Sequence, residues 1–257
     1  MLIDTHCHLY LPEFDIDREA MLQRAKDAGV EKFFLPNIDS SSIESMIGLA
    51  ANHHLCFPMM GLHPCSVKEN WKEEISAIEK WLSNSEYKWF GIGETGLDYY
   101  WDKNFIPQQK ENFQQHIDWA KQLHLPIIIH SRDALDDCIE MIQQNKDSTL
   151  SGIFHCFSGT AEQAKQIMSL DFYLGIGGVV TFKNGGLDKV LNEIDLSHVV
   201  LETDSPYLAP VPFRGKRNES SYLKLVMKKI SEIKNISEED VAAITTKNAA
   251  HIFKIRV

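Results

Sequence analysis

Two histidines near the start of the chain, His6 and His8, are separated by a single residue. Side chains alternate between the two sides of a β-strand, so both imidazoles leave the same side if this segment is extended. An imidazole pair of this kind can chelate one divalent cation. The pair alone is equally compatible with ordinary surface or core histidines, and a metal site therefore requires further ligands.

Further metal-binding side chains follow short apolar runs, and these residues are Glu94, His130, His155 and Asp204. Taken singly, such histidines are also compatible with hydrogen-bonded structural roles. If these polar side chains gather with the first pair at one edge of a sheet, leaving them without hydrogen-bond or ligand partners would destabilise the fold. A bound ligand or water would remove that cost. We therefore predict six ligands for two divalent ions: His6, His8 and Asp204 for one, His130 and His155 for the other, with Glu94 bridging both.

Imidazole and carboxylate ligands together suit zinc, manganese, nickel or iron, and magnesium where oxygen ligands dominate; the sequence does not choose among them. Two such ions can bind a hydroxide and offset charge on a phosphoryl or carbonyl oxygen, which predicts hydrolysis by metal-bound hydroxide. Asp204 is expected both to hold a metal and to act as general base. Glu202 lies two residues before Asp204, so its side chain is expected on the same side of the strand. It is either catalytic or a buried partner of a basic or histidine group.

Two residues near the predicted ligands are candidates for binding substrate. His63 follows the third predicted strand, and we expect it either to contact the phosphate or leaving group of the substrate or to be structural. Arg132 follows the fifth strand, where its guanidinium can clamp a phosphate with two parallel hydrogen bonds. The alternative for Arg132 is an ion pair with Asp133 or Asp136.

Residues 214–218, with the sequence Arg-Gly-Lys-Arg-Asn, form a concentrated basic patch in an acidic chain. Charge runs are usually solvated, but this one follows Asp204, and we expect Arg214 and Arg217 to bind a phosphodiester backbone. The aromatic residues at 99–101 either stack on bases or cap the barrel.

Short β-rich runs alternate with amphipathic segments along the whole chain. The predicted strands are 2–5, 32–36, 57–61, 89–93, 126–129, 152–154, 172–176 and 198–202. The predicted helices include 17–28, 41–51, 69–82, 107–123, 134–144 and 161–168, with two more in 221–255. This alternation predicts an α/β fold, a (β/α)8 TIM barrel with the polar residues at the carboxyl ends of its strands; an open doubly wound sheet is the alternative.

Composition limits the class of protein. The 257 residues suit one barrel, and we predict a single domain over 1–257. A net charge of -10 argues against a coat protein that binds nucleic acid through a broad basic surface. Five scattered cysteines, the short distance from Met1 to His6 and the lack of a long apolar run lead us to expect a cytoplasmic protein without a membrane span.

Five segments, considered together, closely resemble the TatD-type deoxyribonuclease family, and they are 4–9, 93–100, 130–133, 154–159 and 202–208. The resemblance implies a metal-dependent barrel of the amidohydrolase superfamily that hydrolyses DNA, often from the 3′ end. It implies the same six metal ligands, and His63 and 214–218 also match family segments. Ser220 departs from the family, whose loop commonly continues with proline.

We therefore expect a two-metal phosphodiesterase, a 3′-5′ exodeoxyribonuclease whose partner is DNA as substrate, using zinc, magnesium or manganese. No obligate protein partner is evident. The main alternative is a two-metal amidohydrolase or esterase that attacks a carbonyl carbon, as in a small ester or aminoacyl-tRNA. Many such enzymes bridge their metals with a carbamylated lysine, and the placement of Glu94 favours the nuclease. A metal-binding scaffold without catalysis is the alternative from a different class.

Overall fold

The computed structural model describes residues 1–256. The strands are β1 (Leu2–Asp4), β2 (Val30–Pro36), β3 (Cys56–Met59), β4 (Ile92–Asp98), β5 (Ile127–Arg132), β6 (Gly152–Phe154), β7 (Tyr173–Ile176) and β8 (Val199–Leu201). The helices are α1 (Arg18–Asp27), α2 (Ile43–Asn52), α3 (Trp71–Leu82), α4 (Ile106–Leu123), α5 (Leu135–Asn145), α6 (Ala161–Ser169), α7 (Leu187–Glu193), α8 (Leu223–Lys234) and α9 (Glu238–Ile252). The β-then-α alternation is the one that the sequence predicts.

The chain packs as two compact units. The first unit consists of residues 1–35 and the segment that begins at Cys156, and the second consists of residues 36–155. The prediction of a single domain over 1–257 stays a prediction, and its last residue lies outside the described residues.

In the first unit, the first strand lies beside the last. β1 pairs in parallel with β2, and β7 pairs in parallel with β8. The backbone N–H of Thr5 donates to the carbonyl of Leu201 at 3.0 Å, which places β1 beside β8. The ring of Phe34 stacks on that of Phe253 with centroids 3.6 Å apart. The first unit therefore holds β7, β8, β1 and β2 side by side.

In the second unit, β3, β4, β5 and β6 lie side by side in chain order. Met60, just past β3, pairs in parallel with Ile92, and β5 pairs in parallel with both β4 and β6. Ile127, Ile128 and Ile129 of β5 are all fully buried. Both faces of a strand in a parallel sheet are usually covered, so such a strand is expected to be apolar without alternation. This explains the continuous apolar run of β5.

Strands β4 and β5 extend further than their sequence patterns predict. We predicted that β4 ends at Gly93 and β5 at Ile129, but the pairing continues to Asp98 opposite Arg132. Glu94 and His130 therefore lie within strands rather than after them. The register of the pairing shifts between Ile92 and Thr95, and such an irregularity re-aims side chains at this point of the strand.

Helix α7, seven residues long, is not among the helices that we predicted from periodicity. About two turns give too few repeats for a periodic pattern to be visible. Within residues 1–256, no helix combines the length and hydrophobicity that crossing a membrane requires.

Candidate metal centre

His6, His8 and Asp204 come together in the first unit, and we call them the β1–β8 cluster. The Nε2 atoms of the two histidines are 3.2 Å apart, and Asp204 Oδ1 lies 3.7 Å from His6 Nε2 and 3.5 Å from His8 Nε2. Ligands that share one ion at bonds of about 2.0–2.2 Å lie about 2.8–3.6 Å from each other. The three separations lie within this range or just above it, so two imidazoles and a carboxylate fit one divalent ion here.

Local structure fixes the orientation of the β1–β8 cluster. The backbone N–H of Asp204 donates to the carbonyl of His6 at 2.9 Å, and that of His8 donates to the carbonyl of Ser205 at 2.7 Å. Asp204 has a φ of +55°, a left-handed conformation that aspartate tolerates better than most residues. The Nδ1 atom of His8 lies 3.0 Å from the Tyr10 hydroxyl. A hydrogen bond there leaves His8 Nε2 to bind a metal.

Behind this cluster, the carboxylate of Asp4 is fully buried. One of its oxygens accepts from the backbone N–H of Thr203 at 2.9 Å, and the other accepts from the hydroxyls of Thr203 and Ser220, each at 2.6 Å. Burial raises the pKa of Asp4 to about 7, although these hydrogen bonds lower it. Asp4 therefore ties β1 to the segment that carries Asp204.

A second group of ligand atoms forms in the second unit, and we call it the β4–β5 cluster: His63, Glu94, His130 and His155. Glu94 Oε1 lies 3.1 Å from His130 Nδ1, 3.3 Å from His63 Nε2 and 3.5 Å from His155 Nε2. The nearest nitrogens of His63 and His130 are 3.3 Å apart. His63, Glu94 and His130 have the spacing of ligands on one ion.

Asp98 orients His130 in the β4–β5 cluster. Its Oδ2 atom is 2.9 Å from His130 Nε2, so a proton on Nε2 leaves His130 Nδ1 to face Glu94. Asp98 Oδ1 accepts from the backbone N–H groups of Tyr100 and Trp101, each at 2.9 Å. Burial would raise the pKa of Asp98, but the hydrogen bond from His130 and those from the backbone outweigh it and hold the pKa well below its usual range.

Two buried side chains of α4 fix the backbone beside the β4–β5 cluster. His116 Nε2 accepts from the backbone N–H of Leu62 at 3.0 Å, and its Nδ1 atom donates to the carbonyl of Asn112 at 2.8 Å. The amide of Asn112 donates to the carbonyl of Leu62 at 3.1 Å and to the hydroxyl of Thr95 at 3.3 Å. Leu62 precedes His63 and Thr95 follows Glu94, so this pair of α4 residues positions two members of the cluster.

The close approach of β5 to β4 requires glycine at position 96. Gly96 has a φ of +129°, and a Cβ atom there would collide with the carbonyl oxygen of His130. Only glycine combines this conformation with this contact. The backbone therefore brings His130 close to β4, where Glu94 and Asp98 reach it.

Glu202 is fully buried in the first unit. Its Oε1 atom accepts from the backbone N–H of Cys156 at 2.6 Å. The carboxylate lies directly against Gly175, where a Cβ atom would collide with it. This anchoring fixes the side chain, and the choice between a catalytic and a structural role for Glu202 stays open.

The candidate substrate-binding residues have different surroundings. Arg132 lies with its guanidinium carbon 4.2 Å above the ring of Tyr100, and Arg214 lies 4.5 Å above the ring of Phe182. Arg217 instead binds both carboxylate oxygens of Asp17, at 2.7 and 2.8 Å. Substrate binding by these arginines stays a prediction, and for Arg217 it requires release of the ion pair.

His6, His8 and Asp204 lie together in the first unit, and Glu94, His130 and His63 lie together in the second. That the predicted ligands bind metal stays a prediction, as does the arrangement of all six around one pair of ions. Asp4, Asp98 and His116 are positioning residues that we did not single out from the sequence. Strand parity was a usable signal for two of them, since Asp4 is two residues from His6 and Asp98 is four residues from Glu94, spacings that place side chains on one side of a strand.

Parallel strands that carry clusters of buried imidazole and carboxylate groups define a metal-binding enzyme of the α/β class. The model of the TatD related DNase family matches residues 3–254, and the chain belongs to this family. It is 42% identical over 256 residues to the uncharacterized metal-dependent hydrolase YabD of Bacillus subtilis, covering 99% of this chain and 100% of that protein.

Two further similarities bear on fold and activity. The chain is 31% identical over 261 residues to the 3′-5′ ssDNA/RNA exonuclease TatD of Cronobacter sakazakii, with 98% of this chain and 97% of that protein covered. The solved structure of the TatD homologue YjjV from Escherichia coli superposes with a TM-score of 0.94 at 28% identity, covering 99% and 98% of the two chains. The chain is a metal-dependent hydrolase with an α/β TIM-barrel fold, which confirms the predicted family and fold class.

Proposed function

We propose that this metal-dependent hydrolase cleaves phosphodiester bonds of DNA as a 3′-5′ exodeoxyribonuclease. The observation that carries the proposal is the pair of ligand clusters, whose donor atoms lie 3.1–3.7 Å apart. Membership of a DNase family and the similarity to a named single-strand exonuclease support the substrate class and the polarity. A cytoplasmic location and independence of a protein partner stay predictions.

Each donor set holds more imidazole than carboxylate, which fits zinc or manganese better than magnesium, and we propose one divalent ion for each cluster. Two ions, when bound, would activate a water molecule and offset the charge that develops on a phosphoryl oxygen. We assign His6, His8 and Asp204 to the first ion. We assign His130, His155 and Glu94 to the second, with His63 as a further ligand or a contact to substrate.

The side chains divide the remaining work. Asp204 accepts the proton of the attacking water at a carboxylate oxygen, as a general base. Glu202, held by Cys156, keeps a second buried carboxylate in the first unit that can assist in that transfer. Arg132 and Arg214 bind phosphates of the strand, because guanidinium groups match the geometry of phosphate oxygens.

The experiment compares substrates on one preparation. Chelated protein is supplied with zinc, manganese or magnesium and incubated with single-stranded DNA labelled at the 5′ end, with DNA labelled at the 3′ end, and with an ester such as 4-nitrophenyl acetate. We expect release of the 3′ label first and a ladder of shortened 5′-labelled strands. Hydrolysis of the ester with intact DNA under every metal would contradict the proposal and favour the carbonyl-directed hydrolase.

A further inference from the structure

Two large aromatic side chains just past β4 are exposed to solvent. Trp101 is 68% exposed and Tyr100 is 53% exposed, and their rings meet edge to face with centroids 5.0 Å apart. The preceding Tyr99 differs, because its hydroxyl donates to Asp137 at 2.7 Å and its backbone N–H donates to the carbonyl of Arg132 at 2.9 Å. Tyr99 anchors the segment, whereas the rings of Tyr100 and Trp101 are exposed at the surface and can contact a ligand.

Arg132 completes this surface, which we call the aromatic platform (Tyr100, Trp101 and Arg132). Its guanidinium carbon lies 4.2 Å from the ring centroid of Tyr100 and 5.6 Å from that of Trp101. Within residues 1–256 these contacts take the place of the alternative ion pair with Asp133 or Asp136. The platform therefore combines two exposed rings with a guanidinium for which the described part of the chain shows ring contacts and no ion pair.

The platform is attached to the β4–β5 cluster. One carboxylate oxygen of Asp98 accepts hydrogen bonds from the backbone N–H groups of Tyr100 and Trp101, and the other is hydrogen-bonded to His130. Arg132 and His130 are two residues apart on β5, so their side chains leave the same face of the strand about 7 Å from each other. A ligand on the platform is thus held within reach of the proposed metal ligands.

An exposed ring beside a guanidinium matches one repeating unit of an unpaired nucleic acid strand. A nucleobase can stack on the indole, and the guanidinium can bind the adjacent phosphate. A base inside a duplex presents neither face, because both are stacked on neighbouring bases. We propose that the aromatic platform binds an unpaired nucleotide next to the scissile position and so selects single strands. This inference rests on the proposed function and gives its site a substrate class.

Trp101→Leu tests the stacking contact, since leucine keeps an apolar side chain without a ring. We expect the ratio of kcat/KM for a single-stranded oligonucleotide to that for bis(4-nitrophenyl) phosphate to fall about tenfold. Trp101→Phe, which keeps a ring, is expected to recover most of that ratio. Phe90→Leu is the matched control. The ring of Phe90 also contacts a cation, because Lys88 Nζ lies 4.8 Å from its centroid, but Phe90 precedes the opposite end of β4. The ratio of the two kcat/KM values should therefore be unchanged in Phe90→Leu.

Binding provides a readout that does not need hydrolysis. The affinity of the metal-loaded protein for a phosphorothioate-protected single strand should fall about tenfold in Trp101→Leu. In Arg132→Ala, the slope of log affinity against log salt should fall by about 0.7, as for one lost phosphate contact to a single strand. Equal affinities of wild type and Trp101→Leu would overturn the platform, whether or not the protein degrades DNA. If the protein does not hydrolyse DNA but Trp101→Leu still binds the single strand about tenfold more weakly than wild type, only the proposed function is overturned.

Discussion

A single carboxylate, Asp98, connects three features of the second unit. It orients His130, it anchors the aromatic platform through two backbone N–H groups, and it lies on β4 with Glu94. A carboxylate behind a metal-binding imidazole fixes its tautomer and raises its basicity. Asp98 is therefore expected to control metal affinity without touching the metal.

Asp98→Asn tests this positioning role. The amide can still accept backbone N–H groups, but its charge is lost, and we expect metal affinity to fall about 10- to 100-fold. Competition against a chromogenic chelator measures the affinity. Asp137→Asn is the control, since Asp137 accepts a hydrogen bond from Tyr99 and pairs with Lys110, neither of which is a proposed metal ligand. Equal affinities in Asp98→Asn and wild type would show that Asp98 does not orient His130.

Arg217 has a structural explanation that its sequence context does not reveal. Its guanidinium binds Asp17 and the carbonyl of Glu13, and lies over the ring of Phe14 at 4.7 Å. The side chain is 29% exposed, so solvent screens the ion pair only partly.

We expect Arg217→Ala to lower the free energy of unfolding by about 1 kcal/mol, and Asp17→Asn to lower it by at least as much, because Asp17 also pairs with Arg24 at 2.9 Å. Urea denaturation of both variants measures this. Arg214→Ala should instead leave stability unchanged and raise the KM for DNA, because Arg214 contacts only the ring of Phe182 in the described residues. A larger KM effect in Arg217→Ala than in Arg214→Ala would show that the Asp17 pair opens for substrate.

At the scale of elements, α4 holds the β4–β5 cluster through a histidine that must stay neutral. Burial lowers the pKa of His116 to about 4, although its hydrogen bond to the carbonyl of Asn112 raises it. Its Nε2 atom accepts a hydrogen bond from Leu62, and a protonated ring cannot accept there. Protonation therefore opposes the native contact.

This lowered pKa predicts a pH dependence of stability. The folded-state pKa of about 4 lies below the ordinary value of 6.5, so the unfolded chain binds the proton first. Stability from His116 is complete above pH 6.5 and declines as pH falls to about 4, by up to about 3 kcal/mol.

His116→Gln can retain an acceptor for Leu62 without titrating, so its stability should vary less between pH 7 and pH 4.5 than that of wild type. Urea denaturation of chelated protein at several pH values measures the difference. His124→Gln, at the exposed end of α4, is the control. If the free energy of unfolding of His116→Gln varied with pH as much as that of wild type, the pH dependence would not come from His116.

The loop before α8 is tied to β1 by the residue that departs from the family pattern. Ser220 donates to Asp4 at 2.6 Å, and proline cannot make this bond. We expect Ser220→Ala to lower the free energy of unfolding by about 1–3 kcal/mol, because it removes a donor from a buried carboxylate. Ser197→Ala, in an exposed turn, is the control for urea denaturation. Equal stabilities would show that water replaces the hydroxyl.

The elements were predictable where hydrophobic periodicity decides them, and less so where polar residues continue a strand. The apolar run at Ile127–Ile129 identifies β5 directly. The glycines and polar residues of 93–98 resemble a loop, yet backbone pairing with β5 keeps them extended. Tertiary pairing, which has no local signature, therefore decided where β4 ends.

The candidate ligands were predictable as a set. The spacing of His6 and His8 became informative only together with the other imidazole and carboxylate groups that follow or end the predicted strands. The contacts of Asp4 with Ser220 and of Arg217 with Asp17 join residues far apart in the chain. No local pattern encodes such pairs.

At the scale of the whole molecule, the two compact units each supply one candidate metal cluster. The net charge of -10 repels a nucleic acid strand at long range, so binding of DNA depends on local groups such as Arg132 and Arg214. Bound divalent ions add positive charge at the clusters. Metal loading is therefore expected to control both substrate affinity and turnover.

The most direct test is a metal titration of chelated protein, in which bound metal per chain and exonuclease activity are measured on the same samples. We predict that activity on single-stranded DNA appears only with metal and is complete at two ions per chain. Glu94→Gln should bind less metal and lose nearly all activity. Glu74→Gln should match wild type, because the carboxylate of Glu74 accepts hydrogen bonds from Ser40 and Asn70 and lies outside both clusters. Full activity in chelated protein that holds no metal would contradict the assignment of both clusters.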